Sequence, residues 1–337
     1  MRIGVIGAGN ISATHVRAIG GIRDAAVVAV YGRTLQRARA LAASCGAAAS
    51  DTLDAFFASA AMDMVAIGTP SGLHGEHGAA AARRGLHVLV EKPLEITTER
   101  ADRLIAAADA ASVTLGVIFQ DRLKPGVREL KALVDGGALG TIVFASARVP
   151  WYRPPEYYRG SDWRGTKALD GGGALINQGI HTVDLLLWLC GPVSRVAGRT
   201  ATRFHDIEVE DTAVASIVFA SGALGTIEAT TAAWPGRPRR IEIAGANGAA
   251  TLEGDDLIAV DVQHSGRRVS GSAGRAENAA SPTVSDAGPH RAVFEDFIHA
   301  ISARERPCCD GREGRRSVEL VEAIYRSSQS GQVLELR

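Results

Sequence analysis

The stretch Gly4-Val5-Ile6-Gly7-Ala8-Gly9-Asn10-Ile11-Ser12 decides the fold. An apolar run, Ile3–Ile6, stops abruptly at a Gly-x-Gly, and a helix-period segment, Asn10–Ile19, follows at once. Gly7 suits a tight strand-to-helix turn, and Gly9 leaves room for a pyrophosphate to approach the backbone. The helix that follows aims its unpaired N–H groups at the anion. The third position of this fingerprint is Ser12, small enough for close helix–strand packing. Asn10 and Ile11 supply the first N–H groups of the turn. A Gly-x-Gly alone is weak evidence; its place between a first strand and a first helix is what gives it meaning.

Outward from this turn, strand-length apolar runs alternate with Ala-rich helical stretches. The strands are expected at Ile3–Ile6, Val27–Tyr31, Met64–Gly68, His87–Val90 and Val113–Phe119, and the helices at Asn10–Ile19, Leu35–Ser44, Leu53–Ser59, Gly75–Arg84 and Glu99–Ala111. Alternation of this kind predicts a doubly wound parallel sheet, a Rossmann domain over residues 1–121. Continuous apolar strands are what burial on both sheet faces requires. From residue 122 to 337 the pattern changes. Helices are expected at Gly126–Asp135, Ala174–Leu189, Ala292–Ala303 and Arg315–Ser328, and a strand at Thr141–Val149. Two hairpins are expected, one over Asp211–Phe219 and Gly225–Thr231, the other over Arg240–Ala244 and Ala249–Leu252. This reads as an α+β domain with a large, mostly antiparallel sheet. Ser265–Gly288, rich in Gly, Ser, Ala and Asn without a hydrophobic period, reads as a surface loop or mobile segment.

Lys plus Arg and Asp plus Glu number 37 each, so neither a nucleic-acid nor a membrane-surface partner is indicated, and a small molecule is the expected partner. The start of the chain lacks a signal peptide's long apolar run, and no stretch approaches a membrane span. Cys45, Cys190, Cys308 and Cys309 have neither CxxC nor zinc spacing and read as reduced thiols of a cytoplasmic protein. No cluster has metal-ligand spacing, and His74 and His77 read as structural. No Gly-x-Ser-x-Gly elbow is present.

The second strand ends in Tyr31-Gly32-Arg33-Thr34, where a carboxylate would mark NAD. Arg33, with Arg37 one turn on, suits a 2′-phosphate, so the reading favours NADP over NAD. On the helix expected at Ala174–Leu189, the spacing of Asn177, His181, Asp184 and Trp188 puts them on one face at 3.6 residues per turn. His181 can take a hydroxyl proton near neutral pH, and Asp184 is a candidate to orient it. Gln120 and Arg122, at the carboxyl end of the fifth strand, and Tyr152 and Arg153 in an aromatic loop, are candidate substrate contacts. Aromatic faces and directional donors are a usual means of holding a sugar ring.

Further motifs make the chain resemble the Gfo/Idh/MocA family. They are Thr69-Pro70 leading to His74 after the third strand, Glu91-Lys92-Pro93 after the fourth, Gly171-Gly172-Gly173 leading to His181 and Asp184, and Asp310-Gly311-Arg312 through Tyr325 and Ser327. The resemblance spans nearly the whole chain. It implies Lys92 and His181 as catalytic acid/base groups and a cis bond before Pro93. It also implies cofactor contacts from Gly7, Gly9, Asn10, Ile11, Arg33, Thr34, Thr69, Pro70, His74, Glu91, Lys92, Trp163 and Arg164. Many sugar dehydrogenases of the family carry Asp where this chain has Asn177, which leaves Asn177 as a hydrogen-bonding substrate contact. The implied activity interconverts a secondary alcohol and a ketone on a sugar, glycoside, inositol or nucleotide sugar, in a homodimer or homotetramer associating through the C-terminal sheet. Redox-assisted glycoside cleavage, or a non-catalytic dinucleotide-binding regulator, are the alternatives.

Overall fold

The structure, a computed structural model, describes residues 1–263, 268–270 and 286–336. It divides into two compact units: Met1–Gln120 with Val284–Arg315, and Asp121–Thr283 with Arg316–Arg337. Residues 286–315, expected in the second domain, belong to the first unit instead. The cause is α9 (Gly288–Ala303), which buries His290, Val293, Phe294 and Phe297 there.

In the first unit a six-stranded parallel sheet runs in the order β3-β2-β1-β4-β5-β6. Its strands are β1 (Arg2–Ile6), β2 (Ala26–Tyr31), β3 (Ala48–Ser50), β4 (Met64–Ile67), β5 (His87–Glu91) and β6 (Leu115–Ile118). The connecting helices are α1 (Asn10–Gly20), α2 (Leu35–Ala43), α3 (Leu53–Ser59), α4 (His74–Ala82) and α5 (Thr98–Ala110). The central strands are sequestered on both faces: all four residues of β4 and of β6 are buried. Each such aliphatic side chain contributes roughly 1.5–3 kcal/mol. Thr52 and Thr97 cap α3 and α5, accepting from Ala55 and Arg100 N–H at 3.3 Å each.

The second unit holds a nine-stranded sheet, β14-β13-β12-β11-β7-β10-β9-β8-β15. Its strands are β7 (Ile142–Pro150), β8 (Val193–Ala201), β9 (Thr212–Phe219), β10 (Leu224–Thr230), β11 (Arg240–Gly245), β12 (Gly248–Glu253), β13 (Asp256–Val262), β14 (Arg268–Ser270) and β15 (Leu334–Glu335). Among these pairings only β7–β10 is parallel. Both expected hairpins form, as β9–β10 and β11–β12. Helices α6 (Pro125–Asp135), α7 (Pro155–Arg159) and α8 (Ile180–Cys190) belong to this unit, and α10 (Gly311–Ser330) begins in the first unit and ends in the second. Alternate sheet residues such as Ala145, Ala147, Ile217, Ile227 and Ile243 are buried. The other face leaves Phe144, Val214 and Leu224 exposed.

The single helix expected at Ala174–Leu189 is two elements. Ala174–Gly179 is a π-helical turn, and α8 follows it. The reason lies outside the segment: the buried Glu210 carboxylate accepts from Gly173 and Leu175 N–H at 3.0 and 2.8 Å and from the Tyr325 hydroxyl at 2.8 Å. It thereby satisfies the turn's first donors in a wider winding. Most of Ser265–Gly288 lies outside the described residues; within it β14 and the start of α9 are regular. Among the described residues, no helix is long and apolar enough to cross a membrane.

Candidate active site

The first unit supplies a phosphate cradle. Gly7 has φ +125°, and a Cβ there would lie 2.6 Å from the Gly68 carbonyl oxygen, so only glycine fits. A Cβ on Gly9 would meet nothing within 4 Å. Open space thus lies beside the backbone at the head of α1, whose first turn has no side-chain cap. Asn10 is exposed and Ile11 half-buried at this turn. These features fit a dinucleotide pyrophosphate. Arg33 and Thr34 are exposed just beyond β2, and Thr34 makes no side-chain cap to α2.

Lys92 is half-buried directly after β5, at the carboxyl end of the parallel sheet, and the Lys92–Pro93 bond is cis. Glu91 and His74, expected among the cofactor contacts, have partners within the protein. His74 is 1 % exposed; its Nδ1 lies 2.8 Å from the Pro93 carbonyl and its Nε2 3.0 Å from that of Thr69. Burial pushes its pKa down. Thr69 and Pro70 are half-buried, and the Thr69 hydroxyl lies 3.2 Å from His77 Nδ1. Burial lowers the pKa of His77 to about 4. Glu91 Oε1 is 2.8 Å from His15 Nε2 and 3.6 Å from His290 Nε2. Ligand-type atoms of these three residues lie within 4.8 Å of one another, a convergence that sequence spacing does not hint at. The 2.8 Å separation is that of a hydrogen-bond donor and acceptor, and neither Nδ1 has the outer hydrogen bond that orients a metal-binding imidazole. The trio is therefore a buried hydrogen-bonded cluster. Gln120, the last residue of the first stretch of this unit, is half-buried, its Oε1 unpartnered among the described residues.

In the second unit His181 opens α8, with its Nδ1 3.7 Å from Asp121 Oδ2. That is a charge contact, too long for a hydrogen bond. Asp121 also accepts from Arg239 Nη1 at 2.5 Å. The charges of Arg239, His181 and Lys124 hold its carboxyl well below the usual range despite an opposing burial effect. Asp184 is the sequence's candidate for orienting His181. The structure corrects it: Asp184 takes a bidentate pair from Arg122, Nε–Oδ2 2.8 Å and Nη2–Oδ1 2.6 Å, with both side chains buried. Arg122 thus ties the turn after residue 120 to α8. Arg153 is likewise buried, donating to Gln178 Oε1 and the Tyr152 carbonyl at 3.0 Å each. Tyr152 is half-buried and meets the Trp234 ring edge-on.

Asn177 lies in the π turn, so the expected common face with His181 is interrupted. Its Nδ2 donates to the fully buried Asp170 at 2.5 Å, and its Oδ1 accepts from Gln178 at 3.0 Å. Gln178 in turn donates to the Tyr157 hydroxyl at 2.8 Å. The Arg164 guanidinium lies over the rings of Tyr157 (4.4 Å) and Trp163 (5.2 Å), and its buried Nε has no hydrogen-bond partner. Asp121, Asp170 and Gln178 went unread in the sequence. Asp121 alone had a signal, its position between the two residues chosen at the sheet edge.

Residues 1–119 match the model of the oxidoreductase family with an NAD-binding Rossmann fold, and residues 127–251 match the GFO/IDH/MocA C-terminal domain. The chain is 28% identical to inositol 2-dehydrogenase of Rhizobium meliloti, over 97% of this chain and 96% of that protein. It is 30% identical to myo-inositol 2-dehydrogenase of Thermotoga maritima, over 74% of each. Among solved structures, the WlbA dehydrogenase of Bordetella pertussis, in complex with NADH and UDP-GlcNAcA, is 33% identical, with a TM-score of 0.90 over 100% of this chain and 98% of that one. The chain belongs to the Gfo/Idh/MocA family. It is a nicotinamide-dependent oxidoreductase.

Proposed function

We propose that this enzyme interconverts a secondary alcohol and a ketone on a sugar or sugar derivative, with NADP as the preferred cofactor. The observation that carries the reading is the open glycine cradle at the head of α1 in the same parallel sheet whose carboxyl edge bears Lys92. When bound, the nicotinamide supplies the hydride acceptor or donor. Lys92 holds a proton at the substrate oxygen as charge develops there, and His181 takes or returns the hydroxyl proton. Asp121 favours the protonated imidazole by its negative charge. Arg33 at the end of β2, where no carboxylate stands, supports NADP.

Arg164, backed by two aromatic rings and with its Nε unpartnered among the described residues, supports a substrate bearing a carboxylate or phosphate. The UDP-GlcNAcA of the Bordetella relative's complex is of that class. The exposed Phe144 and Leu224, direct neighbours across the β7–β10 pair, support self-association through this face. Leu224→Glu is expected to lower the mass measured by light scattering.

The test is absorbance at the reduced-nicotinamide band, with NADP and NAD each offered against uronic acids, nucleotide sugars, neutral glycosides and inositols. Turnover abolished by Lys92→Met and by His181→Ala, with cofactor still bound, is the expected result. Turnover surviving Lys92→Met refutes the assignment of the acid/base group.

A further inference from the structure

The His15–Glu91–His290 cluster demands an account, because a carboxylate is expensive to bury. Glu91 is 6% exposed, and His15 and His290 are 0% and 2% exposed. They come from three elements: α1, the end of β5, and α9, which follows β5 by almost 200 residues. The three converge on one carboxylate. Its Oε1 takes His15 and faces His290. Its Oε2 accepts the backbone N–H of Lys92 at 3.2 Å. Phe294 closes the cluster, edge-on to the His15 ring at 5.5 Å.

Beyond Lys92 the turn is gripped again. His74 reaches the Pro93 carbonyl, and the fully buried Glu95 accepts from Gly75 N–H at 2.9 Å, Ile96 N–H at 2.7 Å and Arg100 Nε at 2.9 Å. Lys92 is therefore suspended between two anchored carboxylates, and the nearer one abuts its own amide. A fold needing only to fill this space would do so more cheaply with an apolar side chain.

We propose that His15, Glu91 and His290 are positioning residues for Lys92: the two imidazoles orient the Glu91 carboxylate, which fixes the Lys92 backbone and biases its side chain toward the ammonium form. This rests on the acid/base role of Lys92 given above. The titratable groups facing the carboxylate are His15 from α1 and His290 from α9, and its charge is also felt by His74.

Two substitutions separate position from charge. Glu91→Gln can keep the geometry: its oxygen can accept the Lys92 N–H while its NH2 donates to His15, because His15 Nδ1 has no partner and its proton can move there. Only the charge is lost. A neighbouring negative charge favours an ammonium, so the alkaline limb of the kcat profile is expected to move down by about half to one pH unit. Glu91→Leu loses both; kcat is expected to fall tenfold or more with substrate KM and cofactor Kd changing less than threefold. Should Glu91→Leu not fold, His290→Leu, which leaves the His15–Glu91 bond in place, is read for the same split.

An unmoved alkaline limb in Glu91→Gln together with kcat within threefold of wild type in the leucine variant overturns the proposal. So does a leucine variant whose loss lies wholly in thermal stability. Lys92→Met separates the two readings. If it stays active, the Lys92 assignment falls and this inference with it. If it is inactive while both Glu91 variants behave as wild type, this inference falls alone.

Discussion

The Arg122–Asp184 pair offers a stability test whose size follows from the geometry. Both side chains are almost wholly buried, 2% and 1% exposed, and two parallel N–H···O contacts join them. Ser317 Oγ approaches Asp184 Oδ1 at 3.4 Å, and the Arg122 guanidinium lies 5.4 Å from the Trp188 ring centre. Asp184→Leu strands a guanidinium in apolar surroundings, and Arg122→Met strands a carboxylate; each is expected to cost about 3–5 kcal/mol. The double variant strands neither and is expected to lie within about 2 kcal/mol of wild type. The coupling is then about 4 kcal/mol or more, above the roughly 0.5–3 kcal/mol usual for residues in contact. All four tryptophans, Trp151, Trp163, Trp188 and Trp234, lie in the second unit, so urea unfolding followed by tryptophan fluorescence reports on the unit that holds the pair. Single variants within 1 kcal/mol of wild type, or a double variant as unstable as the sum of the singles, would refute the reasoning.

Other tests bear on the remaining parts. Arg33→Asp is expected to change the NADP:NAD affinity ratio by about 10- to 100-fold toward NAD, as loss of a charge-assisted contact should; titration of both cofactors checks it. Asp121→Asn removes the negative charge beside His181 and is expected to lower kcat/KM about tenfold and move its acid limb to lower pH, while an unmoved limb would leave Asp121 as a partner of Arg239 and Lys124 only. His77, depressed from 6.5 to about 4 by burial, contributes stability that is present above pH 6.5 and lost as pH falls through 4. The loss amounts to about 3 kcal/mol; a His77 Cε1 proton titrating near 6.5 in the folded protein would contradict it.

The first sheet was legible because its strands are buried on both faces, so burial writes apolar runs such as Met64–Ile67 directly into the chain. β3 escaped notice because Ala48-Ala49-Ser50 joins the sheet edge through its backbone and carries no apolar run. β8 escaped for a related reason: Arg195, Arg199 and Ala201 are exposed, and Gly198 sits where a Cβ would lie 2.8 Å from Ile324. Its alternation of arginine, small and apolar residues resembles a loop. Gly7 is legible in the sequence because its backbone, with φ +125° and the Gly68 carbonyl oxygen 2.6 Å from a would-be Cβ, restricts residue type. The partners of Arg122, Arg153, Glu91 and His74 are not visible in the sequence, because an ionisable side chain at a sheet edge looks the same there whether it holds a ligand or a neighbour. The partners that decide the matter stand 62, 25, 76 and 19 positions away.

The π turn at Ala174–Gly179 makes the site sensitive to chain length as well as to residue identity. An α-helical residue advances about 100° around its axis. Deleting one residue from this segment, and letting the remainder close as α-helix, would swing Asn177 by that angle relative to His181 while every functional side chain stayed chemically intact. The relation between Asn177 and His181 can therefore be rewritten by a single codon gained or lost, a rearrangement that substitution scanning would never sample.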